Sequence, residues 1–399
     1  MKIALVCDRY DPAGGGLEQW ASRVVPLLER RGHEAHVVAF RFAGDLRPDR
    51  AHELAWRPGR LERAAAVERA LDTLAPDVVH DTGVGWRYDV LHPQGGAKLA
   101  NHRRDLASLP ALERLRRRAS PTLHRWRREV GELERRQYRV ADGLVIAVSA
   151  MVARDLATLH GVAGDRLRIV PNGVDTDRFS PDRCAALRAG ARERLGVDAS
   201  TPVVLFAARN SRLKGLPSLL RASARLRDGG ARLRVAAIGS EPDAGLRREA
   251  ARLRLEGVVH FAGNVPDALP WYAAADAYVL PTWYDACSLT VLEACACGLP
   301  VVTTRWNGAA ELLTDGQDGY VVDGPEDTDA LANAIGRAIA PSSRARVGAA
   351  ARALALRHTL DRNVDAIERA YVEAIERRGA PRRSPTPGST NGVAGWQGR

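Results

Sequence analysis

The chain has 399 residues, 45% hydrophobic and 5% aromatic, with a formal charge of +11; that length supports two ordinary domains with full cores. No apolar run approaches the roughly 18 residues needed to span a bilayer, and five cysteines, three of them crowded at Cys287, Cys295 and Cys297, supply neither a disulfide framework nor paired metal-ligand spacing, so a reducing cytoplasm is the expected compartment. The positive excess attracts anionic partners without choosing among them, but no basic stretch is interleaved with stacking aromatics, and nucleic acid is not an expected partner.

Residues 3–7 form an apolar run stopped by Asp8 and Arg9, which predicts a first strand at 2–7 rather than a signal peptide. A glycine-rich turn at 11–16, an amphipathic helix at 17–31 closed by Gly32, and a strand at 34–40 complete a β-turn-α-β unit. Gly14, Gly15 and Gly16 leave room for a ligand against the backbone, and the helix start behind them favours an anion; a plain tight connection has the same signature. The dinucleotide fingerprint Gly-x-Gly-x-x-Gly is absent, since Gln19 stands at its third glycine.

Residues 60–74 read as a helix and 76–80 as a strand; a second apolar piece at 88–91 runs into His92, Gly95 and Gly96. His92 therefore leaves a strand's carboxyl end, where open α/β sheets bind ligands; a structural histidine is the alternative. From 101 to 139 the chain is densely basic, interrupted by Leu112, Leu115, Leu123, Trp126 and Leu133. Such helices either dock on an anionic membrane surface, with Trp126 at headgroup level, or present a solvated face partly balanced by Glu113, Glu129, Glu132 and Glu134.

A strand at 144–148, a helix capped by Ser149 and a strand at 167–170 lead to Asn172-Gly173. The Asp175-Thr176-Asp177 that follows belongs to the turn, where short polar residues are expected, and is not read as a metal site. In the second half, Arg209 leaves the strand 202–207 and Lys214 stands beside a helix start, so both cations can face one phosphate. Short apolar strands then alternate with helices, and Val265 follows the strand at 258–261.

The strand 277–280 opens into a loop carrying Asp285. A helix should begin near Ser288, a good N-cap residue, and run to 297, with Gly298 as left-handed stop and Pro300 behind it. Backbone N–H groups of Ser288, Leu289 and Thr290, at a positive helix end, attract a phosphate. Asp285 lies in the loop and Glu293 about one turn inside the helix, so they can grip two parts of one ligand; ionised carboxylates accept hydrogen bonds only, which suits sugar and ribose hydroxyls. Taken singly, the two acids also read as a turn cap and a solvated helix residue. Three helices close the chain, and its end, rich in Pro, Gly, Ser and Arg from 379 on, is expected to be disordered.

The stretch from Asp285 to Pro300 resembles glycosyltransferase family 4, retaining enzymes whose signature is two acidic residues separated by seven and a Gly-x-Pro ending. Asp285 replaces the family's usual Glu, one methylene shorter. The resemblance spans about residues 1–378. It implies an α/β fold of GT-B type: two Rossmann-like domains facing across a cleft, an acceptor-side domain at 1–172, a nucleotide-sugar domain at 173–358, and a crossover helix at 359–378 that returns to the first domain. By the same resemblance Arg209 and Lys214 clamp the diphosphate, Ser288 and Leu289 bind it at the helix end, Asp285 contacts the donor sugar, and Glu293 the ribose. Val265 would hold the base, while Gly15, Gly16 and Glu18 approach from the opposite domain. Asp89, His92 and Gly95 form the acceptor-side segment, with His80 as the alternative histidine.

No metal or other cofactor is implied; the nucleotide sugar is a substrate. A closer likeness to lipopolysaccharide core glucosyltransferases, including the basic stretch after residue 100, implies UDP-glucose as donor and a cell-envelope glycan or glycolipid as acceptor. It also implies a place in the cytoplasm, at the inner face of the cytoplasmic membrane. A nucleotide-sugar epimerase of the same architecture would act without an acceptor, and an NAD-dependent oxidoreductase would need the glycine fingerprint this chain lacks.

Overall fold

A computed structural model describes residues 1–43 and 48–379; the expected disordered end lies, from residue 380 on, outside the described residues. Two parallel sheets carry the molecule. The first contains β1 (Lys2–Cys7), β2 (Glu34–Ala39), β3 (Ala51–Glu53), β4 (Val78–Asp81), β5 (Val90–Leu91), β6 (Leu144–Ala147) and β7 (Leu167–Ile169), in the order β3-β2-β1-β4-β5-β6-β7. The second contains β8 (Val203–Ala207), β9 (Arg234–Ile238), β10 (Val259–Gly263), β11 (Ala277–Leu280), β12 (Val301–Thr304) and β13 (Tyr320–Val322), in the order β10-β9-β8-β11-β12-β13. The central strands are wholly buried, as in β8 and β11. Such strands read as continuous apolar runs because helices cover both sheet faces.

In each sheet the strand order reverses at one point, between β1 and β4 and between β8 and β11. Helices leave to opposite faces there, and a crevice opens outside the carboxyl ends. The residues that leave those four ends are the candidate site.

The basic stretch forms three helices, Lys98–Ala107, Ala111–Arg118 and Pro121–Tyr138, because Pro110 and Pro121 each start a helix that the preceding residues cannot continue into. The short edge strand β3 and the helices Pro181–Arg194 and Leu269–Ala274 lack a strong periodic signal and were not expected. The chain passes between the two sheets twice, and the passages lie side by side: Val174 N–H donates to His358 O at 3.0 Å and Leu360 N–H to Val174 O at 3.0 Å.

The final helix, Leu360–Gly379, returns to the first domain. Buried Asn363 accepts from Trp20 Nε1 at 3.1 Å and donates to Pro171 O at 2.7 Å, and Tyr371 Oη lies 2.6 Å from His80 Nδ1. Arg31 adds ion pairs to Asp365 and Glu368 at 2.6 and 2.5 Å.

Candidate functional site

Gly215 brings the two halves of the second-domain cradle together. It stands at φ +86°, and a Cβ there would lie 1.8 Å from Pro281 O, so only glycine lets the loop after β8 lie against the loop after β11. Trp283 N–H donates to Leu213 O at 2.8 Å across the same seam. As a result Lys214 Nζ sits 2.7 Å from Asp285 Oδ2 and 3.0 Å from Tyr284 O.

The helix expected after Asp285 runs Leu289–Ala296, with Ser288 as N-cap accepting from Val291 N–H at 3.3 Å and Gly298 at φ +75° beyond its end. One expected donor is already engaged: Ser288 N–H is bonded to Asn307 Oδ1 at 3.3 Å. Ser288 therefore shapes the helix end, and the N–H groups of Leu289 and Thr290 are the ones without a hydrogen bond among the described residues. Asn307 is itself wholly buried and holds Ala309 N–H and Thr303 Oγ1 as well.

The first domain closes on this cradle. Arg209 donates to Ala13 O in the glycine turn. A Cβ on Gly15 would lie 3.9 Å from Arg209 Cδ and 3.0 Å from Glu18 Oε2, and one on Gly16 would lie 3.6 Å from Leu289 Cδ1. Gly96, at φ +71°, abuts Tyr284, whose hydroxyl would be 2.2 Å from an added Cβ. Arg104 stacks on Trp306 with its guanidinium carbon 3.0 Å from the ring centroid, and Glu311 accepts from Ala150 and Met151 N–H at 2.6 and 2.7 Å, satisfying the free donors of a first-domain helix.

Glu293, on the helix that Ser288 caps, is 4% exposed. It accepts from Tyr272 Oη at 3.0 Å and pairs with Arg23 at 3.3 Å; burial raises its pKa, and Arg23 opposes that rise. Val265 is partly buried just beyond β10. Arg212 is paired with Asp243 at 3.5 Å, away from the Lys214 contacts.

Two acceptor-side residues are placed differently from expectation. Asp89 precedes β5, so it sits at the strand's amino end, where it accepts from Val79 N–H at 2.8 Å and pairs with Arg378 at 3.3 Å; it ties the last helix to the sheet and is not brought to the cleft. His92 does leave the carboxyl end, but its ring is wholly buried. His80 Nε2 is 3.2 Å from its Nδ1 and Gln94 Nε2 3.1 Å from its Nε2, with Trp20 edge-on at 5.1 Å. Burial drives the pKa of both histidines down, that of His80 to about 3. Pro93, Gly95 and Gly96 instead line a cavity of about 470 Å3 between the domains. Among the described residues no group of three or more His, Cys, Asp or Glu could hold a metal ion.

A family model described as Glycosyltransferase Family 4 matches residues 14–178, and one described as Glycosyl transferases group 1 matches residues 201–340. Together they span well over half of the chain. The chain belongs to glycosyltransferase family 4.

A D-inositol 3-phosphate glycosyltransferase of Xylanimonas cellulosilytica is 33% identical to this family 4 chain over 267 residues, 63% of this chain and 61% of the relative. Two further relatives of that name are matched over 48% and 52% of their lengths. In fold the chain is similar to WaaG, a glycosyltransferase involved in lipopolysaccharide biosynthesis (TM-score 0.77, 21% identity, 93% of this chain and 99% of that one). It is also similar to Anabaena HepE, solved with UDP and glucose (TM-score 0.69, 21% identity, 93% and 99%). The architecture is GT-B.

Arg23, Tyr272 and Ala13 were invisible as site residues in the sequence of this family 4 chain. Arg23 is one arginine on an ordinary amphipathic helix, and Ala13 contributes only a carbonyl. Asn307 carried a usable signal, a polar residue three positions beyond the carboxyl end of β12.

Proposed function

We propose that this chain transfers a hexosyl group, with retention, from a nucleoside diphosphate sugar to a hydroxyl of a cell-envelope glycan, glycolipid or related polyol. The observation that carries this is the convergence of Arg209, the Lys214–Asp285 pair, the Leu289 helix end and the glycine turn on one cleft. Helix-end amides and cations suit a diphosphate, and they act where negative charge grows as the sugar departs. The anomeric carbon's bond to the diphosphate oxygen breaks while its bond to the acceptor oxygen forms on the same face. The acceptor's proton passes to the departing diphosphate, so no protein nucleophile is required. Lys214 and Arg209 stabilise the leaving group without a resident metal, Asp285 orients the sugar hydroxyls, and Glu293, reached through Arg23 and Tyr272, fixes the nucleoside side.

UDP-glucose is the donor we propose, in line with the UDP and glucose bound to HepE. We further place the protein against the inner face of an anionic membrane. The helix Ala111–Arg118 supports this: Leu112 and Leu115 are 61% and 66% exposed beside Arg116, Arg117 and Arg118, an interfacial pattern. Among the described residues no helix is long and apolar enough to cross a membrane.

A thermal-shift panel of nucleotide sugars with and without magnesium, followed by product detection, tests the reading, because a ligand of the folded state raises its melting temperature. A shift by one nucleotide sugar independent of magnesium is the expected result; no shift by any of them sinks the proposal.

A further inference from the structure

The cavity beside the donor cradle has a charge pattern that the transfer reaction does not require. Its walls bring Arg60, Arg63, Lys98 and His102 from the first domain, and Asn210 and Leu213 from the loop that carries Arg209 and Lys214. The cavity therefore borders the loop that carries Arg209 and Lys214. Arg63 is committed to Asp8 at 3.3 Å and to Arg57 O at 3.0 Å, and Lys98 Nζ donates to Gly83 O at 2.9 Å. Asp105, the other carboxylate on the wall, pairs with Arg117 at 3.5 Å.

The Arg60 guanidinium has no hydrogen bond or ion pair among the described residues, although the side chain is partly buried. Burial and the neighbouring Arg63 lower its pKa against the opposing pull of Asp8, Glu129 and Glu134, and burial likewise lowers that of Lys98 in spite of Glu134, Asp81 and Asp8. His102 Nε2 is buried without a hydrogen-bond partner, and its ring lies 4.7 Å from that of Trp126, which also lines the cavity. Cations held out of water beside an orphaned donor or acceptor are costly unless something compensates them. A group with several anionic oxygens would compensate all of them, and arginine's planar fork matches phosphate geometry.

We propose that the acceptor is a phosphorylated polyol or sugar whose phosphate is held by Arg60, with Arg63 and Lys98 adding positive charge beside it and the ring against Trp126 and His102. This rests on the glycosyltransferase reading and specifies its acceptor. A soluble phosphate ester and the phosphorylated headgroup of a lipid offer the same chemistry.

The test is calorimetric titration of the full chain, saturated with UDP, using inositol 3-phosphate and glucose 6-phosphate against inositol and glucose, with a water-soluble short-chain phosphatidylinositol as the lipid arm. Arg60→Gln is the variant of choice, because its guanidinium supports no other residue; Lys98→Met is a second. At least one phosphate ester should bind about tenfold or more tightly than its neutral counterpart, and Arg60→Gln should erase most of that preference. Preference confined to the short-chain lipid, with the same dependence on Arg60, identifies a headgroup as the source and supports the proposal equally. Equal binding of charged and neutral ligands, or a preference that survives Arg60→Gln, overturns it while UDP binding persists. If wild-type chain binds no nucleotide at all, the underlying transferase reading fails instead.

Discussion

Replacing Lys214 by alanine removes more than one charge's worth of stabilisation from the cleft. Its Nζ lies 2.7 Å from Asp285 Oδ2, so the substitution deletes a cation and uncovers a carboxylate at the same place, and both changes oppose a departing diphosphate. At an effective dielectric near 20, an ammonium roughly 5 Å from the leaving oxygen is worth about 3 kcal/mol, which corresponds to about two orders of magnitude in rate. The assay is release of nucleoside diphosphate from the nucleotide sugar that the thermal-shift panel selects, fitted separately for kcat and KM. Lys214→Ala should lower kcat about 100-fold, the size seen when one preorganised donor is removed from a charge-stabilising site, with a smaller change in KM. UDP binding, weakened in Lys214→Ala, should recover in part in Lys214→Ala/Asp285→Asn, since the second change removes the uncovered anion. A folded variant whose kcat stays within about threefold of wild type would refute the leaving-group role, because so small a change is under 1 kcal/mol.

Gly215→Ala should cost about 3 kcal/mol or more, since it combines φ +86° with a Cβ 1.8 Å from Pro281 O, whereas Gly16→Ala meets only an ordinary 3.6 Å contact; equal melting temperatures for the two would contradict this account. Asn363→Ala leaves the buried Trp20 indole N–H and Pro171 O without partners, a loss of about 2 to 3 kcal/mol in urea denaturation. His80 and His92 are held neutral by burial, His80 with a pKa of about 3. The unfolded chain therefore binds more protons below the ordinary histidine value near 6.5, and stability should fall as pH drops from about 7 to 5, by up to about 1.4 kcal/mol per pH unit for each ring. A flat melting temperature over that range argues against the neutral pair. Leu112→Ser/Leu115→Ser should abolish sedimentation with anionic vesicles while donor binding persists, and undiminished sedimentation would remove that helix as the membrane contact.

Much of the second-domain cradle was legible because its signals are local. Ser288, Gly298 and Pro300 bracket a helix by capping chemistry alone, and a short apolar strand before Asp285 needs no distant partner to be recognised. The acceptor side was harder. Asp89 and His92 lie three residues apart around a strand of only two residues, so which end of the strand each occupies, and whether either meets solvent, depends on neighbours. Asp89 went to the amino end, and His92 was enclosed by His80, Gln94 and Trp20.

Local patterning thus determined the alternating strands and helices, the two glycine-bearing turns and the acidic pair with its helix start, because each depends on residues within a turn or two of one another. Tertiary structure alone decided that Arg23 reaches Glu293, that Asn307 occupies the Ser288 amide, and that Lys98 shares one cavity with Arg60 and Arg63 of another helix. Those contacts join residues up to 270 positions apart, and the distance between them is set by the packing of two whole sheets, which no short stretch of chain encodes.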